Sequence, residues 1–313
     1  MENQNATMTS FALLGFSYSI TINCCSNRRV NTFLFLVFLL MYTLTLLGNI
    51  IILEVTNHLQ SPMYFFIMHL AFIDICFSSI TVPKLLVIFW TRQTISYYGC
   101  FIQMFFVFVT GSTEDYVLAA MAYDRYAAIC KPLHYVQIVS KACCRWLVGG
   151  AWAIGFLCAM INILPALKLD FCESNFIRDF SCEFPSVLAL SCTETSSNWM
   201  AFLISGGAVS GCSLIIILLS YIHIISTILK LNSVEAKQKT FSTCSSHIIV
   251  VVLYYGTACF RNMRPSSASS VIVDELFSIQ YKISTPMLNP LIYSLKNREV
   301  KEAIKKLMGY KPL

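Results

Sequence analysis

The chain has 313 residues, of which 57% are hydrophobic and 12% are charged, and its formal net charge is +6. Soluble domains carry roughly 25% charged residues, so this composition excludes an ordinary soluble protein and favours a membrane protein. The positive balance suits a cytoplasmic face that meets anionic lipid, and no nucleic-acid partner is expected.

Seven apolar segments follow one another along the chain, and each is long enough for the roughly 20 residues that a membrane-spanning helix needs. They cover 30–56, 60–89, 98–123, 143–166, 199–229, 244–263 and 270–294. We therefore predict an all-α membrane protein. An extracellular N-terminus occupies 1–29, a seven-transmembrane helix bundle 30–295, and a cytoplasmic helix with its tail 296–313.

Basic residues set the expected orientation, because short loops that stay in the cytoplasm carry an excess of lysine and arginine. Those that fall on one face are Lys131, Lys141, Arg145, Lys230, Lys237, Lys239 and the tail from Lys296 to Lys311. The stretch 165–198 on the other face is mostly acidic. We expect a multi-pass plasma-membrane protein with its N-terminus outside, where the sequon at Asn5 can carry a glycan.

Polar side chains inside the predicted spans are candidate functional sites, because ionisable groups are costly in hydrocarbon. Asn49 lies in the first span, Asp74 in the second, and Glu114 and Asp115 in the third. The alternative is that each only bonds to neighbouring helices. Asp124-Arg125-Tyr126 closes the third span, where its charge pair must meet water or a protein partner, which makes it a candidate switch.

Four cysteines lie at or beyond the outer ends of the predicted spans, in a compartment where disulfides persist. They are Cys100, Cys172, Cys182 and Cys192. Four cysteines allow three pairings, and the sequence pattern leaves these open. The other cysteines show no spacing typical of a metal site.

The seventh span and the tail each have a distinctive pattern. Between Pro286 and Tyr293 two prolines interrupt the helical hydrogen bonds, which predicts a hinge where Asn289 can bond a freed carbonyl. After it, apolar residues recur at helical spacing among lysines. They are Val300, Ile304, Leu307 and Met308. This pattern predicts a short amphipathic eighth helix on the inner leaflet, with membrane lipid as its partner.

Taken together, these segments resemble a rhodopsin-like (class A) G-protein-coupled receptor, and specifically an olfactory (odorant) receptor. The resemblance covers nearly the whole chain. It rests on Pro62 to Phe66, Met121 to Tyr135, Ser220-Tyr221, Lys239 to His247 and Pro286 to Asn297. AspArgTyr and AsnProxxxTyr mark the wider class, whereas the longer strings around them are typical of the narrower family.

The resemblance implies a G-protein switch at the inner end, in which Arg125 is restrained at rest and freed when the sixth helix moves outward. Its expected members are Asp124, Arg125, Tyr126, Tyr221, His247, Asn289, Pro290 and Tyr293. The resemblance also implies disulfides Cys100–Cys182 and Cys172–Cys192. It further implies a buried polar network that can hold a sodium ion, the one cofactor considered. This network comprises Asn49, Asp74, Glu114 and Asn289.

Alignment through the shared motifs implies a mostly apolar ligand pocket in the outer half of the bundle. Its expected lining is Met104, Phe105, Val107, Phe108, Ser112, Ser205, Gly206, Val209, Tyr254, Ala258, Arg261, Ile279 and Lys282. Such a lining suits small, volatile, apolar molecules. Val107 stands where amine receptors carry an aspartate, which disfavours a simple amine.

Two basic residues of the expected pocket lead to a further hypothesis. Arg261 and Lys282 would suit an acidic ligand. In the alternative, Lys282 pairs with Glu114 or Asp115, and Arg261 faces water in the outer loops.

The function implied by the resemblance is that of an odorant receptor, not an enzyme, which activates a stimulatory, olfactory-type G protein and raises cyclic AMP. One alternative is a class A receptor for a non-odorant small molecule or lipid. A secondary transporter should show an internal repeat, and we find none between the two halves. An intramembrane enzyme would need a metal motif or a paired nucleophile beside His69 or His247, and the sequence has neither.

Overall fold

The computed structural model describes residues 10–13, 28–57, 59, 61–89, 94–171, 176–177, 180–262, 278–296 and 298–307. In chain order the helices are α1 (Arg28–Asn57), α2 (Pro62–Ile88), α3 (Tyr97–Cys130), α4 (Tyr135–Ile138), α5 (Lys141–Ala166), α6 (Phe184–Leu188), α7 (Ser196–Leu229), α8 (Val234–Asn262), α9 (Thr285–Lys296) and α10 (Arg298–Leu307). A 3₁₀ turn, Pro132–His134, precedes α4, and a π-helical turn, Gln280–Ser284, leads into α9.

Within the described ranges, α1, α2, α5 and α7 are long and apolar enough to cross a membrane, and α8 qualifies as two segments that meet at a bend of 46°. The central helix α3 packs against α2, α5 and α7, while α9 packs against α1, α2 and α8. The predicted seven-helix membrane bundle is confirmed. Two predicted spans, 98–123 and 244–263, are shorter than the helices that contain them. Helix α3 continues to Cys130 and α8 begins at Val234, because a helix can extend past the apolar segment into water.

Close approach of α5 to α3 depends on one glycine. A Cβ atom on Gly155 would lie 2.6 Å from Thr113 Oγ1 and 2.6 Å from the Val109 carbonyl oxygen. Small residues at helix contacts allow such packing in membranes, where van der Waals contact contributes to helix association. The inner half of the bundle is filled by one large apolar cluster. Its fully buried members include Leu70, Leu118, Met121 and Val250.

A small sheet closes the outer end of the helical bundle. Its strands are β1 (Ser10–Leu13), β2 (Thr94–Ser96) and β3 (Phe176–Ile177), in the order β2-β1-β3. β1 is antiparallel to β2 and parallel to β3, and its Phe11 and Leu13 side chains are fully buried. The all-α prediction contained no strand, because segments of two to four residues are too short to show a period-2 pattern.

Helix α10 is the predicted amphipathic eighth helix. Val300 is fully buried, whereas Lys301, Lys305 and Lys306 are exposed. The Tyr64 hydroxyl, at the start of α2, donates to Glu299 Oε2 at 2.7 Å. This hydrogen bond fixes α10 to the same end of the bundle as the start of α2.

Candidate functional site

The charge pair at the inner end of α3 forms a closed latch. Arg125 Nη2 lies 2.6 Å from Asp124 Oδ2, and Arg125 Nε donates to the same oxygen at 3.1 Å. The Tyr135 hydroxyl donates to the other oxygen, Asp124 Oδ1, at 2.7 Å. Asp124 is fully buried and Arg125 is 13% exposed. Both carboxylate oxygens are therefore occupied, and the guanidinium is turned toward its own helix instead of toward solvent at the end of the bundle.

Tyr135 belongs to α4, outside the membrane-spanning helices, and it holds its proton firmly. Burial raises the pKa of the Tyr135 phenol, and the negative charge of Asp124 raises this pKa further. The phenol therefore acts as a stable donor to Asp124 at physiological pH. Sequence analysis included Tyr135 in the motif that carries the resemblance but did not assign it to the switch.

A second contact joins three helices at the inner end. The Tyr221 hydroxyl on α7 lies 2.7 Å from His247 Nδ1 on α8, and His247 Nε2 lies 3.1 Å from the Leu118 carbonyl oxygen on α3. A carbonyl oxygen only accepts, so Nε2 carries the proton and Nδ1 accepts from Tyr221. An outward movement of α8 would break both bonds. The ring of Tyr126, another expected switch residue, is tilted by 51° to that of His223 of α7, with 5.6 Å between the ring centroids.

The middle of the bundle contains the expected buried polar residues. Asn289 Nδ2 donates to Asp74 Oδ2 at 2.9 Å and to Oδ1 at 3.2 Å. Asn49 Nδ2 donates to the Pro286 carbonyl oxygen at 3.0 Å. Pro290 has no N–H to donate to this carbonyl, four residues before it. The sequence analysis assigned that task to Asn289, and this was wrong: Asn49 of α1 supplies the donor.

Several buried oxygens of this network have no hydrogen-bond partner among the described residues. They are Glu114 Oε1, Asn289 Oδ1 and the Tyr293 hydroxyl. Glu114 also lies close enough to Asp74 for the two carboxyl groups to interact electrostatically. Oxygen atoms are the ligands that a hard cation prefers, and the carboxylates of this network add negative charge that favours a cation. The residues present thus fit the sodium ion that the resemblance implied.

At the outer end, the short segment 180–184 contacts several helices of the bundle. Cys182 forms the predicted disulfide with Cys100 of α3, and this prediction is confirmed. The Cys182 amide also donates to Gln103 Oε1 at 2.9 Å. Phe180 packs in a cluster with α1 and α2, and Phe184 contacts Phe108 and Phe202.

Lys282, on the π-helical turn before α9, is bound to this segment. Its Nζ lies 2.6 Å from Glu183 Oε1 and 2.5 Å from Ser181 Oγ, and 4.6 Å from the centre of the Phe180 ring. Lys282 is 3% exposed. The alternative considered from sequence, in which Lys282 pairs with Glu114 or Asp115, is not what the described residues show, because its ion pair is with Glu183.

The residues expected to line a ligand pocket lie on the same outer half of α3, α7, α8 and the turn before α9. Buried ones are Met104, Ser112, Val209, Tyr254 and Lys282. Half-buried ones are Phe105, Val107, Phe108, Ser205, Gly206, Ala258 and Ile279. The Arg261 side chain lies outside the described part of the chain. Within this set the Tyr254 hydroxyl donates to the Gly111 carbonyl oxygen at 3.1 Å.

Two further polar contacts in the outer half were not predicted from the sequence. Asn162 Nδ2 of α5 donates to Ser205 Oγ of α7 at 2.9 Å. Ser210 Oγ of α7 donates to Asp115 Oδ2 of α3 at 3.0 Å. Asparagine within a spanning helix was a usable signal for the first contact, since a buried amide needs partners. Nothing in the local sequence identifies which serine of α7 faces Asp115.

Some predicted features fall outside the described residues. Asn5 of the glycosylation sequon is one of them. Cys172 is another, although its expected partner Cys192 is disulfide-bonded. The pairing of these two cysteines remains a prediction.

Comparison with known proteins gives consistent results. A profile of the olfactory receptor family matches residues 38–311. Human olfactory receptor 8H3 is 45% identical over 312 residues, which cover 98% of this chain and 97% of the relative. Human olfactory receptor 8S1 is 46% identical over 301 residues, which cover 95% of this chain and 81% of the relative.

Among solved structures, squid rhodopsin superimposes with a TM-score of 0.71, covering 91% of this chain and 87% of its own, at 17% sequence identity. A likeness at that identity concerns the fold alone. With the family match and the two human relatives, the chain belongs to the olfactory receptor family of G-protein-coupled receptors, and it is a multi-pass membrane receptor for signalling, not an enzyme.

Proposed function

We propose that this protein is an odorant receptor that binds small, mostly apolar volatile molecules and activates a stimulatory, olfactory-type G protein to raise cyclic AMP. The observation that carries the proposal is the Arg125 latch. A mostly buried arginine held by Asp124, which Tyr135 holds in turn, is a two-state element, since the guanidinium can contact either its own helix or a cytosolic protein. A ligand that favours the open arrangement shifts this equilibrium toward signalling.

The chemistry of the outer half supports an uncharged ligand. Its described side chains are mostly apolar, and Lys282, a buried cation among them, is neutralised by Glu183 at 2.6 Å. A carboxylate ligand would have to compete with Glu183 for the ammonium group, and it would lose its own hydration on entry. We therefore favour volatile neutral molecules over the acidic ligands that the sequence alone suggested.

The proposed orientation places the N-terminus and β1 outside the cell and α4 and α10 in the cytoplasm, with the protein in the plasma membrane. The Cys100–Cys182 disulfide supports this, because disulfides persist in extracellular space. In this orientation Asn5 is available for glycosylation, and the lysines of α10 meet the anionic inner leaflet.

We also propose a sodium ion as a ligand of the buried network. Asp74, Glu114 and Asn289 would hold it through oxygen atoms, two of which have no other partner among the described residues. The ion would supply positive charge that lets both carboxylates stay ionised. Asn49 donates to the Pro286 carbonyl oxygen of α9 and would keep α9 in place beside the ion.

The test is expression with an olfactory-type stimulatory G protein and a cyclic-AMP reporter, with surface display measured in the same cells. We expect at least one member of a broad panel of neutral volatiles to raise cyclic AMP. Arg125→Ala should abolish this response at equal surface display, whereas Arg145→Ala, which removes an exposed arginine from α5, should not.

Silence of a well-displayed receptor across the panel would contradict odorant reception. Responses only to non-volatile lipids would support the alternative receptor class.

A further inference from the structure

Asn162, in the outer half of α5, is a buried polar residue that the expected pocket lining did not include. It is 1% exposed. Its Nδ2 donates to the Cys158 carbonyl oxygen at 2.8 Å and to Ser205 Oγ at 2.9 Å. A carbonyl oxygen only accepts, so the amide nitrogen must occupy this position and the orientation of the amide is fixed. Both hydrogens of this nitrogen are therefore used.

The oxygen of the same amide has no donor. Asn162 Oδ1 is buried and has no hydrogen-bond partner among the described residues. Ser205 does not serve it, because the Ser205 hydroxyl accepts from Nδ2 and donates to the Phe202 carbonyl oxygen at 3.4 Å. A buried acceptor without a donor costs free energy. A molecule that brings a donor to Oδ1 would therefore gain a hydrogen bond without breaking one.

The close contact of α5 with α3 gives the level of Asn162 in the bundle. Gly155 of α5 lies against Val109 of α3, and Asn162 follows Gly155 by two helical turns, about 10 Å nearer the outer end. Because a short turn joins the inner ends of α3 and α5, the two helices run in opposite directions. The residues one to two turns before Val109, with Met104 and Phe105 among them, therefore lie near the level of Asn162.

Apolar side chains surround this level. Ile163, the residue after Asn162, is buried in one cluster with Met104, and half-buried Phe108 packs against that cluster. The Phe108 ring also lies 5.4 Å from the Phe184 ring of α6 at the outer end of the bundle. Part of the Phe108 ring stays uncovered, and it offers apolar surface to the hydrocarbon part of a ligand.

We propose that Asn162 Oδ1 accepts a hydrogen bond from a ligand in the pocket, and that Asn162 thereby selects molecules that carry a hydroxyl group. The inference rests on the proposed function and narrows its ligand class to small apolar alcohols and phenols. Met104, Phe105 and Phe108 would contact the hydrocarbon part, and the amide oxygen would be the polar contact. Ethers and esters of the same skeleton lack the donor.

Cations fit this acceptor less well than alcohols do. An ammonium group loses its hydration when it is buried, and one neutral amide oxygen does not compensate for that loss. A neutral hydroxyl group has a much smaller desolvation cost. Amines of the same skeleton are therefore a useful comparison set, and a preference for amines over alcohols would overturn the assignment of a neutral donor.

The first test measures binding without signalling. The full-length receptor in lipid nanodiscs is heated with an alcohol or with its methyl ether, and the rise in Tm is compared over a range of concentrations. We expect the alcohol to bind about three- to tenfold more tightly than the ether, as for one hydrogen bond to a neutral acceptor. In Asn162→Leu this difference should disappear. Equal binding of alcohol and ether by the wild type would overturn the proposal.

A second variant keeps the proposal testable if Asn162→Leu does not fold. Threonine inside a helix can donate to the carbonyl four residues earlier, as Thr110 and Thr113 do in α3. Asn162→Thr can therefore keep the bond to the Cys158 carbonyl oxygen while it removes Oδ1. We expect this variant to lose the preference for alcohol over ether. A preference of wild-type size in Asn162→Thr would contradict the proposal.

A matched control separates recognition from a structural role. Asn198→Thr makes the same change at a buried asparagine of α7, whose amide nitrogen, and not its oxygen, is the unpartnered atom among the described residues. We expect Asn198→Thr to keep the preference for alcohol. A residue that only stabilises the contact between α5 and α7 would change the binding of alcohol and ether alike. Equal losses of the preference in Asn162→Thr and Asn198→Thr would exclude Asn162 as the selecting residue.

The two proposals fail in different ways. Alcohol-selective stabilisation without any cyclic-AMP response would uphold the Asn162 contact and contradict the proposed signalling. A cyclic-AMP response to volatiles with no preference for a hydroxyl group would uphold odorant reception and overturn the Asn162 contact.

Discussion

Asn49 of α1 donates a hydrogen bond to the carbonyl oxygen of Pro286, 237 residues later in the chain. That carbonyl is the one that Pro290 leaves without a helical donor. Next to this bond, a Cβ atom on Gly48 would lie 3.1 Å from Pro290. The hinge in α9 is thus supported by α1. Pro290 removes one hydrogen-bond donor from α9, and the side-chain amide of Asn49 on α1 replaces it.

This relationship predicts a specific non-additivity. Asn49→Ala leaves the Pro286 carbonyl buried without a donor and should lower the free energy of unfolding by about 1–3 kcal/mol. Pro290→Ala restores an N–H for that carbonyl. The Asn49→Ala/Pro290→Ala double variant should therefore be less destabilised than the sum of the single variants. Thermal unfolding of the purified receptor in nanodiscs gives the four values, and strict additivity would show that the two residues do not act on the same carbonyl.

The Tyr135 contact predicts constitutive activity. Tyr135→Phe removes the donor to Asp124 Oδ1 and weakens the latch by roughly 1.5–3 kcal/mol, the usual worth of a hydrogen bond to a charged group. Basal cyclic AMP, normalised to surface display, should rise several-fold. Tyr98→Phe makes the same change at a tyrosine that is 74% exposed at the outer end, and it should have no effect. Unchanged basal signalling in Tyr135→Phe would mean that α4 does not restrain the switch.

The buried ion pair at the outer end predicts a change in ligand preference. Glu183→Gln removes the carboxylate 2.6 Å from Lys282 Nζ, and breaking a buried ion pair by removing one partner lowers the free energy of unfolding by about 3–5 kcal/mol. A carboxylic acid can then replace the missing charge. We expect Glu183→Gln to respond to acids more strongly than to their methyl esters, and the wild type to prefer the esters.

A matched variant separates charge from packing in this prediction. The double variant Glu183→Gln/Lys282→Met removes both charges. It should lack the preference for acids over methyl esters that we expect of Glu183→Gln alone. An acid preference already present in the wild type would show that Glu183 does not neutralise the pocket.

The sequence was sufficient to predict the seven-helix bundle and the candidate switch, because both rest on local patterns: membrane-length apolar segments, and short motifs around Arg125 and His247. The partners of these residues were harder to predict. The Glu183–Lys282 pair and the Asn49–Pro286 bond join residues about 100 or more positions apart, and such contacts are set by how helices and loops pack. A linear pattern identifies a polar residue in a span, but it does not indicate which neighbour will satisfy it.

The polar network predicts a dependence of stability on sodium. A cation that binds the folded receptor raises its Tm by mass action, so Tm in sodium chloride should exceed Tm in choline chloride at equal ionic strength. Glu114→Gln removes one negative charge from the network and should abolish most of this difference. Glu54→Gln, at an exposed position of α1, should preserve it. Because equal ionic strength screens surface charges alike in both salts, a remaining difference reports a specific ion. Identical Tm values in the two salts for the wild type would exclude sodium from this site. A proton shared by Asp74 and Glu114 would then be what reduces the repulsion between these two carboxyl groups.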